Sequence, residues 1–139
     1  MIARRWRNQC RFCLGSCHVR RKYKLDNLIT VIDRNMCNME GNTEDIMPLE
    51  PLEDKWKSFG WSVKTVDGHN VNELYETLSS VPFETGKPSC IIAKTVKGKG
   101  IDYMEGKFNF HHAKVNDKDY DTCVCMFRKK IYVNRRSFR

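Results

Sequence analysis

Three cysteines and a histidine stand within nine residues near the N-terminus, in the stretch CRFCLGSCH. The spacing C-x-x-C-x-x-x-C-H brings together thiolate and imidazole groups, which are the ligands that Zn²⁺ prefers. The ligands would be Cys10, Cys13, Cys17 and His18. Because arginines flank the stretch and arginine binds phosphate, one hypothesis is a small zinc-binding module that binds nucleic acid. The spacing is cramped, since adjacent residues seldom both reach one metal ion.

A second set of candidate residues carries oxygen ligands. Asn35 stands two residues after Asp33, which ends an apolar run. An amide oxygen at the end of a strand can bind a hard cation such as Mg²⁺, and a backbone carbonyl nearby can add a second oxygen. Such a cation could hold a diphosphate. The alternative is that the two side chains only form a turn.

Basic groups follow further along the chain. The stretch KTVKGKG offers Lys94, Lys97 and Lys99 with two glycines, but it lacks the spacing of a Walker-type phosphate loop. A solvated basic loop is the alternative. His111, which follows an aromatic pair and precedes His112, could contact a phosphate or transfer a proton. The alternative for this histidine is a surface or packing role.

The elements that would position these residues alternate along the chain. Residues 27–33, 61–67 and 90–95 are short apolar runs, the first of them rich in β-branched residues, and predict buried strands. Residues 48–60 and 69–81 between them have helical patterns. This order predicts an α/β fold with a βαβαβ core and a parallel sheet. In such sheets ligands bind beyond the carboxyl ends of the strands, where the candidate polar residues lie.

The first predicted helix has recognisable ends and one apolar face. Pro51 suits the first helical position, and Gly60 suits the residue just past the end. Leu52, Trp56 and Phe59 recur at helical spacing, so we expect them to face the core.

The second predicted helix begins with a variant of the capping box. Asn70 and Glu73 stand three residues apart at its start. Val71, Leu74 and Leu78 recur at helical spacing, and we expect them to form its buried stripe.

Charge divides the chain into three parts. Residues 1–24 carry eight basic residues and no acid, residues 25–105 have a net charge of −6, and residues 106–139 have a net charge of +6. Basic ends can indicate nucleic acid, or an organellar targeting peptide at the N-terminus. They can also indicate that the two ends of the chain are not part of the domain formed by the acidic centre. An odd count of seven cysteines and the absence of a secretory signal favour reduced thiols in the cytoplasm.

At this point the chain resembles a known family. The segments KYKLDNLITVIDRNMCNMEGNTEDIMPLEPLEDKWKSFGWSVKTVDGHN and GKPSCIIAKTVKGKGIDYMEGKFNFHHAK resemble the thiamine-diphosphate-binding domain of transketolase, especially the type with a separate N-terminal subunit. The resemblance divides the chain into an atypical basic segment over residues 1–21, a transketolase-like region over residues 22–121 and a basic tail over residues 122–139.

The resemblance implies a reaction, cofactors and partners. Transketolases transfer a two-carbon ketol unit between sugar phosphates, using thiamine diphosphate as the electron sink and Mg²⁺ to hold the diphosphate. A C-terminal subunit or domain would supply the glutamate that activates the cofactor, and the intact enzyme would be a dimer. Neither a membrane nor nucleic acid is expected as a partner, and the expected location is the cytoplasm.

The resemblance also implies roles for particular residues. Asn35 and the backbone carbonyl of Cys37 would bind the metal ion, and His111 would lie near the diphosphate and the substrate. Asp67, Gly68 and His69 would form a turn into a helix. The family usually has glycine where this chain has Met36, and a positive φ at that position would strain a residue that has a Cβ atom.

One motif of the family is missing. The Asp of a Gly-Asp-Gly motif holds the metal in transketolases, and no Gly-Asp-Gly occurs in this sequence. Permitted codons for residues 4–19, read without their first base, give Gly-Asp-Gly-Glu-Ile-Ser-Ala-Gly-Ser-Val-Trp-Glu-Ala-Ala-Met, which resembles the family's segment. We therefore hypothesise that this stretch is out of frame, which the nucleotide sequence would test. The domain would then be incomplete, and the chain alone would bind the cofactor weakly and be inactive.

Overall fold

The computed structural model describes residues 2–3, 23, 25–111 and 114–136, and at residues 2–3 and beyond Arg128 it describes the backbone alone. Two units are present, one formed by residues 1–36 and 43–95 and the other by residues 37–42 and 96–139. Within the described ranges, no helix combines the length and the apolar character that crossing a bilayer requires.

The first unit contains a parallel sheet with the strand order β1-β2-β4-β3. The predicted α/β alternation is confirmed, and the three predicted strands match the structure to within two residues at each end. The short strand β1 was not predicted, because two residues carry no periodic pattern. The strands are β1 (Ile2–Ala3), β2 (Ile29–Arg34), β3 (Ser62–Asp67) and β4 (Ser89–Lys94).

Strand β4 is central, and its first five residues are all buried. Because successive side chains point to opposite faces, Cys90 and Ile92 join one apolar cluster while Ile91 and Ala93 join another. A continuous apolar run with no polar alternation is typical of a parallel strand covered on both faces.

Three helices belong to this unit: α1 (Thr43–Ile46), α2 (Leu52–Ser58) and α3 (Val71–Ser79). Helix α2 covers the Cys90 face of the sheet with Leu52 and Trp56, and Phe59 packs beside them. The predicted apolar face is therefore confirmed, and Trp56 also meets the ring of Trp61 edge-on at 4.9 Å. Burying side chains of this size stabilises a fold by about 1.5–3 kcal/mol each.

The ends of α2 differ slightly from the prediction. Pro51 is the residue that precedes the helix, with extended backbone angles, and not the first helical residue. Gly60 follows the last turn with a φ of 80° and donates its N–H to the carbonyl of Lys57 at 2.8 Å. A positive φ at this place is why glycine commonly ends helices.

Helix α3 covers the opposite face, and here one prediction is wrong. The cap is as expected, since the side chain of Asn70 accepts a hydrogen bond from the N–H of Glu73 at 3.2 Å. Leu74 packs on the sheet, but Val71 and Leu78 are 77% and 45% exposed, and the buried residue is Thr77. Contact with the sheet buries only a narrow strip of α3, narrower than the spacing of its apolar residues suggests. Residues 74 and 77 therefore define the inner face of the helix.

The second unit contains a 3₁₀ helix (Phe108–His111) and the long helix α4 (Asp117–Arg136). Helix α4 includes part of the predicted basic tail. The hydroxyl of Tyr103 lies 3.0 Å from the sulfur of Cys123 on α4. This hydrogen bond, together with burial, raises the pKa of Tyr103 to about 12.

Arg34, the last residue of β2, is held by two carboxylates. Its guanidinium donates to Glu44 at 2.5 Å and to Glu50 at 2.9 Å, and only 4% of its side chain is exposed. Burial would raise the pKa of Glu44, but N–H groups of Leu49 and Glu50 and the guanidinium outweigh it and lower the pKa. A hydrogen bond from the N–H of Leu52, assisted by Arg34, lowers the pKa of Glu50.

We expect Arg34→Met to lower the free energy of unfolding by about 2 kcal/mol at neutral pH, because buried hydrogen bonds to charged groups are lost. The carboxyl pKa values are lowered by folding, so their contribution is present above about pH 4.5 and is lost as pH falls through the depressed values. Denaturant unfolding of both proteins between pH 3 and 7 measures this.

The matched control is Lys57→Met, which breaks an exposed ion pair with Glu53 on α2. Such pairs contribute under about 0.5 kcal/mol. Equal losses in the two variants would contradict the role given to Arg34.

Candidate functional site

The carboxyl ends of three strands meet at one edge of the sheet. Arg34 of β2 and Asp67 of β3 both lie beside Lys94 of β4 in the pairing register. The polar residues that follow these strands therefore start from neighbouring points, as expected for a parallel sheet.

Asn35 is held at this edge by a chain of hydrogen bonds. Its Nδ2 donates to Oδ2 of Asp33 at 3.3 Å. The other carboxylate oxygen of Asp33 accepts from the hydroxyl of Thr95, the residue that follows β4. The N–H of Thr95 donates to the carbonyl of Arg34 at 3.2 Å, which continues the ladder between the two strands. The strand ends thus fix the position from which Asn35 projects.

Gly68 brings the end of β3 against the same group. Its N–H donates to the carbonyl of Lys94 at 2.7 Å. A Cβ atom at this position would collide with the methyl group of Thr95 and lie 3.0 Å from that carbonyl. Close approach of backbone to side chain therefore requires glycine here. Asp67 shapes the turn by accepting from the N–H of His69 at 2.9 Å, which supports the turn implied for these residues.

Met36, which follows Asn35, has a φ of 59°. This is the left-handed region, which costs a residue with a Cβ atom roughly 1–2 kcal/mol. The family resemblance predicts strain at Met36 if its φ is positive. The φ of 59° is positive, so the strain is expected here. The carbonyl of Met36 accepts from the N–H of Thr43 at 2.8 Å, so the turn is closed in spite of the strain.

Cys37 belongs to the second unit, where it is paired with Asn42 in an antiparallel bridge. The N–H of Asn38 donates to the carbonyl of Gly41 at 2.6 Å and closes the tip of this hairpin. The sulfur of Cys37 lies 3.8 Å from the carbonyl of Gly106. This contact places Cys37 beside the glycine-rich loop that follows β4.

His111 also contacts that loop. Its Nδ1 is 3.4 Å from the ammonium of Lys97, whose backbone carbonyl accepts from the N–H of Gly106 at 2.8 Å. An ammonium can only donate, so Nδ1 must be the acceptor and a neutral ring carries its proton on Nε2. The second lysine of the loop, Lys99, pairs instead with Glu105 at 3.0 Å.

The loop needs glycine at its centre. Gly98 has a φ of 71°, and a Cβ atom there would lie 2.9 Å from the carbonyl oxygen of Met104. The lysines therefore project from a tight turn, in which the side chain of Lys99 is exposed.

The predicted site residues thus fall into two groups. Asn35 lies in the first unit, while Cys37 and His111 each contact the glycine-rich loop of the second unit. The proposed zinc ligands, Cys10, Cys13, Cys17 and His18, lie outside the described residues. Within the described part of the chain, no group of three or more histidine, cysteine or acidic side chains could hold a metal ion.

The chemistry of these donors fits a Mg²⁺ site only in part. An amide oxygen from Asn35 and a carbonyl oxygen from Cys37 are neutral ligands, whereas Mg²⁺ is usually bound through one or two carboxylates together with phosphate oxygens. The sequence contains no Gly-Asp-Gly to provide the carboxylate. Asn35 and Cys37 by themselves would therefore give a Mg²⁺ ion two neutral oxygens and no carboxylate.

Three residues of this region were missed by sequence analysis as parts of a site. Arg34, Thr95 and Gly68 looked like strand ends and a turn, and their contacts join residues that are distant along the chain. One signal was available, because Asp33 and Thr95 continue the alternation of β2 and β4 and so project from the same face.

Comparison with known proteins assigns the family. A family model described as transketolase, thiamine diphosphate binding domain, matches residues 6–138. A 6-deoxy-6-sulfo-D-fructose transketolase subunit of Clostridium sp. is 41% identical over 107 residues, and the match covers 77% of this chain. An apulose-4-phosphate transketolase subunit of Phocaeicola vulgatus is 40% identical over 110 residues, or 79% of this chain. The chain belongs to the transketolase family of thiamine-diphosphate-binding domains.

Solved structures agree with this assignment. Transketolase of Campylobacter jejuni matches 88% of the chain with a TM-score of 0.80 and 25% sequence identity. The match covers 19% of that enzyme, and the matches to the two bacterial subunits each cover 39% of the relative. The chain thus corresponds to a minor part of each of these relatives.

We expect Met36→Gly to raise the free energy of unfolding by about 0.5–1 kcal/mol, because glycine adopts a positive φ without strain but loses more entropy on folding. Met39→Gly is the matched control, since Met39 is an exposed residue of the same loop whose φ is not positive. It should lower the stability by about 0.4–1 kcal/mol. Thermal unfolding measures both, and a destabilised Met36→Gly would contradict the strain.

Proposed function

We propose that this chain is a fragment of the cofactor domain of a transketolase that transfers two-carbon ketol units between sugar phosphates. Two observations support the proposal. The chain belongs to the transketolase family, and Asn35 lies at the carboxyl edge of the sheet, where its amide donates to Asp33. Bound thiamine diphosphate would supply the electron sink for the transferred unit. Mg²⁺ is part of the proposal, as the ion that would join the diphosphate to oxygen ligands.

The residues of the chain would bind and orient. Asn35 and the carbonyl of Cys37 would contribute neutral oxygens to the cation, and His111 would donate from Nε2 to an anionic oxygen. Lys97, 3.4 Å from the His111 ring, adds positive charge beside that donor. Positive charge and an N–H donor together suit a phosphoryl group.

The substrate class is supported by the names of the relatives. One is named for 6-deoxy-6-sulfo-D-fructose and another for apulose-4-phosphate. Both sugars carry an acidic group, and we propose an anionic sugar for this protein as well. The relatives are called subunits, so we also propose a companion subunit that provides the C-terminal domains and completes a dimeric enzyme. The cytoplasm remains the proposed location.

We expect the chain alone to bind thiamine diphosphate with Mg²⁺ more weakly than micromolar affinity, because the carboxylate ligand is missing. Isothermal titration calorimetry measures this. The comparison is a variant in which residues 4–18 are replaced by Gly-Asp-Gly-Glu-Ile-Ser-Ala-Gly-Ser-Val-Trp-Glu-Ala-Ala-Met. This restored chain should bind at least about 100-fold more tightly, since a paired charge contributes roughly 3 kcal/mol.

The control for the restored chain is the same replacement with Gly-Asn-Gly, which keeps the segment and removes only the carboxylate. It should return to weak binding. Micromolar affinity of the unaltered chain would contradict the incomplete ligand set, and failure of the restored chain to bind would contradict the proposed function.

In the restored chain, we expect His111→Ala to weaken thiamine diphosphate binding about tenfold, because a hydrogen bond to a charged group is worth roughly 1.5–3 kcal/mol. The matched control is His69→Ala, another exposed histidine that lies in the turn after β3. Its affinity should stay within about twofold of the restored chain. The same titrations measure both, and equal effects would argue against a contact between His111 and the cofactor.

A further inference from the structure

Four residues from three strand ends form a continuous chain of contacts at the edge of the sheet. Gly68 approaches the methyl group of Thr95, the hydroxyl of Thr95 donates to Asp33, and Asp33 accepts from the amide of Asn35. We name this set the strand-end relay. All four positions belong to the first unit.

The relay lies on one face of the sheet. Side chains alternate along a strand, and Asp33 and Asn35 continue the face of Ile29 and Val31, which pack in the cluster covered by α3. Thr95 continues the face of Ile91 and Ala93 in the same cluster. The relay is therefore the polar continuation of an apolar layer, not a chance contact between unrelated loops.

The carboxylate of Asp33 decides which way the amide of Asn35 points. An ionised carboxylate has acceptors only, so an amide oxygen turned toward it would place two acceptors in contact. The NH₂ group therefore faces Asp33, and the amide oxygen points away from that carboxylate. The two ends of an amide have nearly the same shape, so here the chemistry of the neighbour fixes the orientation.

Thr95 decides in turn where the carboxylate of Asp33 lies. The two branches of its side chain contact different neighbours. The hydroxyl donates to Asp33, and the methyl group occupies the space that a Cβ atom at Gly68 would fill. β-Branching restricts χ1, and the two contacts together favour the rotamer seen here. Gly68, in the turn after β3, is thus linked to Asn35 through the side chains of Thr95 and Asp33.

We propose that Thr95 and Asp33 are positioning residues. They hold the side-chain amide of Asn35 so that its oxygen faces the carboxyl edge of the sheet, where the ligand would bind. This deepens the proposed function, because it assigns the orientation of one neutral oxygen ligand to residues outside the ligand set. Every contact of the relay is made between residues of this chain. Its test therefore does not depend on binding or activity.

The test is Thr95→Val, which removes the hydroxyl and keeps the shape and the methyl contact. The readout is hydrogen exchange of the Asn35 side-chain NH₂ group, followed by NMR in the full chain without cofactor. We expect about tenfold faster exchange, corresponding to the loss of one hydrogen bond within the relay. Thr95→Ser, which keeps the hydroxyl, is the matched control and should stay within about threefold of the unaltered chain.

A second variant tests whether faster exchange comes from the loss of relay contacts and not from altered folding. Asp33→Asn keeps the size of the side chain but leaves one acceptor oxygen where two were used, so it should also speed exchange of the Asn35 amide. Backbone amide spectra show whether each variant is folded. Unchanged Asn35 exchange in folded Thr95→Val and folded Asp33→Asn would overturn the proposal. Failure of the restored chain to bind thiamine diphosphate would overturn the proposed function and leave the relay standing.

Discussion

The parallel pairing of β4 between β2 and β3 is the constraint on which the rest of the first unit depends. Apolar side chains of β4 are covered on both faces, so the strand excludes water along its length until it reaches Lys94. At that residue burial gives way to exposure within one position. Polar groups that meet at this boundary are partly shielded from water, and hydrogen bonds between them are stronger than at an open surface.

The end of β2 is held from two sides because its side chains alternate. Asp33 faces the layer under α3 and bonds Thr95, while Arg34 faces the layer under α2 and bonds Glu44 and Glu50. One strand end is thereby tied both to a neighbouring strand and to the segment that leads into α2. Asn35 follows directly, so its backbone starts from a position with little freedom. This is the arrangement that a ligand site built on rigid elements needs.

Sequence patterns predicted those parts of the fold that depend on local periodicity. The apolar run of β4, the cap formed by Asn70 and the apolar face of α2 follow from spacing alone. The exposure of Val71 did not follow, because which strip of an amphipathic helix is buried depends on the shape of the surface beneath it. The candidate residues Asn35 and His111 could be named from the resemblance. The direct partner of Asn35 is the nearby Asp33, but Thr95, which holds Asp33, is distant in sequence. Contacts such as Thr95 with Asp33, 62 positions apart, become visible only once the register of the strands is known.

Fold and ligand set are separable in this chain, and the energetics explain why. The sheet is stabilised by buried apolar side chains and by its hydrogen-bond ladders, to which a metal-binding carboxylate contributes nothing favourable. Clustered charges at a ligand site are held at a cost in stability, so a fold of this kind does not require them. A TM-score of 0.80 to the transketolase of Campylobacter jejuni is therefore compatible with the absence of Gly-Asp-Gly from the sequence. Likeness of fold supports the family, whereas cofactor chemistry must be argued from the ligands that are present.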